Sequence, residues 1–192
     1  MSKYRKSLLV LRQWVLFALF GAMMFLSAQI DLIPNVHPLA LFIATFTVVY
    51  GVRGVIPVML YVFLEGLYGG FNTWWMPYLY LWPFLWLLFF LIPRRQRLNE
   101  VIAGGLITVV AGLHGIGFGL LYAPFQCYVL FKGNWETTWI WWLNGLPFDL
   151  SHMIGNIVAS LLAIPFIRLL CRLEGKPYPF RRWRRDQMPD VS

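Results

Sequence analysis

The side chains best placed to do chemistry are the ionisable ones that stand inside otherwise apolar stretches: Glu65, His114, Asp149 and His152. A charge in hydrocarbon is costly, so such residues are functional candidates by default. Asp149, His152 and Asn156 fall at i, i+3 and i+7, which puts them on one helix face. His114, Phe118 and Tyr122 step by four along another. Asn72, Tyr78 and Gln126 add polar groups at the same depth, and Trp74 stands beside them. An aromatic lining with a few placed polar groups is what a small-molecule site needs. Each residue also has a structural alternative. Asp149 follows Pro147, where a carboxylate suits a helix start. His152 could bond a neighbouring helix, Asn156 could be interhelical glue, and His114 could be a core histidine among glycines. Glu65, well inside an apolar helix, is the hardest to explain by packing alone.

No catalytic set accompanies these groups. Ser151 and His152 are adjacent, and adjacent helical residues point in different directions. There is no zinc-protease histidine pair, no metal-ligand spacing around Cys127 and Cys171, and no phosphate-cradling glycine loop with lysine. The reading is a binding or transport protein, not an enzyme, with no metal or cofactor and no ATP hydrolysis of its own.

The elements that position these residues follow from composition. Of 192 residues, 59% are hydrophobic and 12% charged, against about 25% charged in soluble domains. Val15 to Ile30 and Leu67 to Ile92 contain no charge. A membrane-spanning helix needs about 20 apolar residues, so residues 1–192 read as a single transmembrane domain ending in a basic cytoplasmic tail from about residue 172. The pattern predicts helices over Leu8–Gln29, Leu39–Tyr50, Val55–Tyr68, Trp75–Leu91, Glu100–Tyr122 and Pro147–Leu170. Trp139–Leu143 reads as an interfacial segment leading into the last. The first helix resembles a signal peptide, but its apolar stretch is long for one and it reads as retained.

The net charge is +8, and its distribution sets an orientation. Lys3, Arg5, Lys6 and Arg12 precede or open the first helix, Arg53 lies in a tight turn, Arg94, Arg95 and Arg97 share a loop, and Arg181, Arg182, Arg184 and Arg185 lie in the tail. Six transmembrane helices with both termini cytoplasmic put all of these on one side, leaving Lys132 in an outer loop. The expectation is an all-α, multi-pass protein of a cell membrane. The basic blocks flank apolar spans and form no separate domain, so they point to anionic lipid headgroups and not to nucleic acid. Trp74, Trp75, Trp135, Trp139, Trp141 and Trp142 fall near outer helix ends, where an aromatic belt is expected. Cys127 and Cys171 fall near opposite faces, too far apart to pair.

Small residues crowd the fifth helix, among them Gly104, Gly105, Gly112, Gly115 and Gly119, which lets backbones approach closely. Ala18 and Ala22, four apart on the first helix, offer either internal packing or a docking face.

The six-helix size, the basic termini and the Ala18-x-x-x-Ala22 pair resemble the substrate-binding S components of energy-coupling factor transporters. The stretch Gly145 to Leu162, GLPFDLSHMIGNIVASLL, is similar to the last helix of that family. The resemblance implies a vitamin or related micronutrient bound in an outward-facing pocket, with Glu65, Asn72, Trp74, Tyr78, Asp149, His152 and Asn156 as substrate contacts. It implies partners as well: a coupling membrane protein, docked at Ala18 and Ala22, and two cytoplasmic ATPases. The loop from Asp31 to Pro38 would cover the pocket. Aromatic residues with Glu65 and Asp149 favour a flat heteroaromatic substrate carrying donors or a positive charge. Two other readings stand beside it: an ion-coupled transporter working alone through Glu65, Asp149 and His152, and a lipid-modifying enzyme using His152 and Asp149 as acid and base.

Overall fold

The computed structural model describes residues 3–30, 36–94 and 96–182, so Arg95, Arg184, Arg185 and the Asp31–Asn35 part of the expected loop lie outside the described residues. Among those described, the regular elements are all helical. They are α1 (Lys3–Ala28), α2 (Leu39–Tyr50), a 3₁₀ turn (Gly51–Gly54), α3 (Val55–Gly69), α4 (Tyr78–Phe90), α5 (Glu100–Ile116), α6 (Phe118–Phe125), a π-helical turn (Gln126–Leu130), α7 (Trp135–Ser160) and α8 (Ala163–Leu173).

By length and apolarity, Val10–Ala28 and Leu39–Gly69 each suffice to cross a membrane, and the count rises to four if each of two bent pairs is one span. Those pairs are Glu100–Ile116 with Phe118–Leu130, bent by 45°, and Trp135–Ser160 with Ala163–Leu173, bent by 49°. The stretch Leu39–Gly69 is not a straight rod. Gly51 has φ +62° and ψ −130°, outside the helical region. Three residues on, a Cβ at Gly54 would lie 2.8 Å from the Phe46 carbonyl oxygen. In a continuous helix those residues would be about 12 Å apart along the axis, so the chain folds back here.

Cross-helix contacts give the direction of each leg. Gln13 meets Arg53, Gly21 meets Leu60 and Gln29 meets Glu65, so α1 and α3 run parallel. Between them α2 runs the opposite way, from Leu39 beside Glu65 to Tyr50 beside Phe17. The legs α4, α5–α6 and α7–α8 continue the alternation, because Leu81 meets His114 at one end while Glu100 meets Arg168 at the other. Helix α2 is apolar on all sides and lies at the centre, with every residue but Val49 buried. The outward face of α1 carries Leu11, Trp14, Val15, Leu19 and Leu26, all exposed.

The basic groups gather at one end. Arg12 pairs with Glu174 (2.7 Å), Arg168 with Glu100 (2.6 Å), and Arg94 donates to the Thr47 carbonyl (2.8 Å). Lys176 donates to the Val49 carbonyl (3.0 Å) with its ammonium 3.8 Å from the Tyr50 ring centre. Burial there holds the Lys176 ammonium below its usual pKa. Burial, with the hydrogen bond from its hydroxyl to Glu100, pushes Tyr178 up to about 12.

Expected boundaries differ at four helices. The first begins at Lys3, five residues before Leu8. The fifth helix breaks at Gly117 instead of continuing to Tyr122. Gly117 has φ −87° and ψ 0°, a Cβ there would lie 3.0 Å from the Leu113 carbonyl oxygen, and Asp149 supplies a cap for the new start, described below. The last long helix begins at Trp135, not at Pro147, which lies inside it. Pro147 removes one backbone bond, and the Ser151 hydroxyl bonds back to the Pro147 carbonyl (3.1 Å). Residues expected as an interfacial lead-in, Trp139–Leu143, are therefore turns of the same helix, which bends away at Leu161–Leu162 to start α8. Helix four begins at Tyr78, three residues later than expected.

Candidate functional site

At the end opposite the basic cluster, the legs converge on a cavity of about 170 Å³ lined by Gln29, His37, Tyr61, Glu65, Tyr78, Trp82, Phe118 and His152, with Ala28 and Leu39. Parallel packing of α1 on α3 sets the register of its acidic wall. Gly21 permits that approach, since a Cβ there would meet Leu60 at 2.7 Å. One turn before α3 ends, Glu65 is 8% exposed and accepts a hydrogen bond from the Gln29 side-chain amide at 3.1 Å. Among the described residues no cation is within ion-pair distance of Glu65. Helix α7 brings His152 to the facing wall, its ring 4.9 Å from Phe118 and 6.3 Å from Trp82, centre to centre. Tyr61 and Tyr78 meet Trp82 edge-on at 5.6 and 5.8 Å. The walls thus offer a carboxyl group, an imidazole and aromatic faces to a flat, donor-bearing molecule.

The residues expected to share one site are divided between two cavities. The second, about 450 Å³, lies between α6 and α7 and includes Gly119, Tyr122, Gln126, Trp141, Trp142 and Asp149. Phe118 lines both and forms the partition. Asp149 is mid-helix, so it does not cap its own helix as Pro147 suggested. Both of its carboxylate oxygens accept the Gly119 N–H at 3.1 Å, which caps the start of α6 instead. Tyr122 donates its hydroxyl to the Trp74 carbonyl.

The other expected site residues have structural tasks. His114 lies behind Trp82 and Phe118 and does not line the first cavity. Its Nε2 is 3.2 Å from the Leu81 carbonyl, a bond that requires the proton on Nε2, and its Nδ1 is buried with no partner among the described residues. Asn156 donates to the Ala111 carbonyl at 3.1 Å and ties α7 to α5. Asn72 builds the turn after α3, donating to Gly69 (3.3 Å) and accepting the Trp74 N–H (3.1 Å). Trp74 stands edge-on to Tyr78 (5.5 Å) outside both cavities. Ala18 is exposed and Ala22 half-buried, while Gly21 between them is the residue that packs on α3.

Sequence reasoning missed Gln29, Tyr61 and Trp82. Gln29 stands at the end of an apolar pattern, while Tyr61 and Trp82 stand inside the apolar runs of α3 and α4, where an aromatic residue carries no signal of its own. His37 belongs to the expected covering loop and does line the cavity, while its neighbour Val36 packs against Gly155 of α7. Among the described residues no cluster of His, Cys, Asp and Glu could hold a metal ion. Cys127 and Cys171 are buried and free. No protein-family model, curated protein or solved structure matches the chain.

Proposed function

We propose that the chain is a multi-pass protein of a prokaryotic cell membrane that captures a small, flat, micronutrient-like molecule for uptake, in the manner of an S component. The observation that carries the reading is the cavity holding Glu65, Tyr78 and His152 at the end remote from the basic cluster. Six legs alternate in direction, and with the basic end cytoplasmic the cavity faces outward. On this reading each leg crosses the bilayer; the short α2 (12 residues, about 18 Å) is shielded from lipid by its neighbours. Exposed Ala18 and half-buried Ala22 are free to meet a coupling membrane protein, which two cytoplasmic ATPases would drive.

The size of the cavity narrows the substrate. Sites for drug-sized ligands occupy about 300–1,000 Å³, and this one is about 170 Å³. A single heteroaromatic ring bearing an amine or other donor suits it better than a large vitamin. Glu65 would accept from that donor, Tyr61, Tyr78 and Trp82 would border the ring, and His152 would bond its far edge.

The test is thermal stabilisation of the purified protein by a panel of pyridine, pyrimidine and thiamine-like compounds, repeated with Glu65→Gln. A ligand bound only by the folded state raises apparent stability. A hit weakened at least tenfold in Glu65→Gln supports the reading, and a panel without any hit removes the basis for it. The rings of His114 and His152, 6.3 Å apart, favour a second reading, a stand-alone proton-coupled carrier. Uptake into liposomes by the purified chain without ATPases distinguishes that reading.

A further inference from the structure

The second cavity combines features that the transport reading leaves unused. Asp149 is 5% exposed and is the cavity's one ionisable group other than Tyr122. Its carboxylate takes one backbone N–H, that of Gly119, at the start of α6, where a helix N-terminus favours the anion. Gly119 allows the approach, since a Cβ there would lie 2.5 Å from Asp149 Oδ2 and 3.1 Å from Trp142 Cδ1. Among the described residues no lysine, arginine or histidine forms an ion pair with Asp149. A cation that met this carboxylate would offset the cost of burying its ionised form.

Aromatic rings surround that carboxylate. Tyr122 and Trp141 are 6.0 Å apart centre to centre, Phe118 is 6.2 Å from Tyr122, and Trp142 borders Gly119. Negative ring faces attract cations, most strongly where water is excluded. Asn144 and Gln126 add polar groups to the lining; Gln126 opens the π-helical turn, and its side-chain oxygen, like the Trp142 indole nitrogen, is buried with no hydrogen-bond partner among the described residues. The wall also holds donors, the indole N–H of Trp142 among them, but its one charged side chain is a carboxylate and its ring faces are negative, and the volume of about 450 Å³ suits a small organic molecule.

We infer that the cavity between α6 and α7 is a binding site for an organic ammonium cation, held by Asp149 and caged by Phe118, Tyr122, Trp141 and Trp142. The inference does not depend on the transport reading, because Phe118 separates this cavity from the one holding Glu65. The ammonium could belong to a free amine or to a lipid headgroup, and the chemistry of recognition is the same.

The test uses the full chain. In an amine-free detergent, choline is titrated against intrinsic tryptophan fluorescence and thermal stability, with its uncharged isostere 3,3-dimethylbutan-1-ol as control. In parallel, melting is compared in nanodiscs of phosphatidylcholine and of phosphatidylglycerol. Saturable choline binding, absent for the alcohol, weakened at least tenfold in Asp149→Asn and Trp142→Leu and kept in Glu65→Gln, identifies a site for a free cation. Stabilisation by phosphatidylcholine alone that disappears in both variants identifies the headgroup as the source. Asp149→Asn keeps an acceptor for the Gly119 N–H; if it nevertheless fails to fold, Trp142→Leu decides. No response to choline or phosphatidylcholine in the wild type, or the same response to the alcohol, overturns the inference. So does binding that survives both variants.

Discussion

Gly115→Ala tests whether close helix packing positions His152. A Cβ at residue 115 would lie 2.6 Å from Met153 Cα, 2.7 Å from Met153 N and 3.0 Å from the His152 carbonyl carbon. Unstrained carbon contacts lie at about 3.5–4.0 Å, so α5 and α7 must separate locally by about 1 Å. Overpacking costs about 1–3 kcal/mol. The obstacle is helix backbone, which cannot rotate aside as a side chain does, so the upper half of that range applies. Alanine returns about 1 kcal/mol of helix propensity, leaving a net loss of about 1–2 kcal/mol. At about 2–4 °C per kcal/mol for a chain of this size, the midpoint should fall by about 2–8 °C in detergent melts. Gly105→Ala is the control: a Cβ there meets nothing within 4 Å, so the same chemical change should hold or raise the midpoint. The displaced turn carries His152, so any ligand of the first cavity should also weaken in Gly115→Ala. If Gly115→Ala melts at or above the wild type, the close approach of α5 and α7 is wrong, and with it the placement of His152.

Other residues yield further expectations. Asn156→Leu removes a hydrogen bond to Ala111 but also a buried amide oxygen with no partner among the described residues. Interhelical bonds in membranes average about 0.6 kcal/mol, so stability should change by less than about 1 kcal/mol. Ligand binding should persist, and a folded Asn156→Leu that no longer binds would make Asn156 a site residue after all. Tyr178→Phe loses the bond to Glu100 (3.0 Å) and should cost about 1 kcal/mol near neutral pH. The hydroxyl's folded-state value is raised from 10.0 to about 12. Its contribution is therefore complete below pH 10 and is lost as pH rises through about 12, so the gap between wild type and variant should narrow in that window. Melts across alkaline pH measure the gap, and one that widens there would contradict the assignment.

Much was legible in the sequence because lipid and charge impose strong, local rules. Uncharged runs marked the apolar helices, and the basic blocks marked one end of the bundle, where Arg12, Arg53, Arg94, Arg168 and Lys176 do gather. Glu65 and His152 stood out because an ionisable group in an apolar helix needs a reason, and both line the first cavity with Tyr78. Local pattern alone cannot say which way a residue at the end of a helix turns or what stands across from it. Gln29 became part of the site only because α1 and α3 pack in parallel register. Asp149 offered either a site residue or a cap for its own helix, yet it caps α6, because the chain breaks at Gly117 and exposes amides beside it. Spacing placed His114, Phe118 and Tyr122 on one face, and their rings do follow one another at 5.8 and 6.2 Å, but spacing could not show that Phe118 is the partition between two cavities. Composition and periodicity determined the all-helical class, the existence of most apolar helices and the basic end, since these depend on each segment's own hydropathy and charge. The partners of each polar side chain were decided by tertiary structure, since they depend on glycine-permitted approaches and bends that bring together residues distant in the chain.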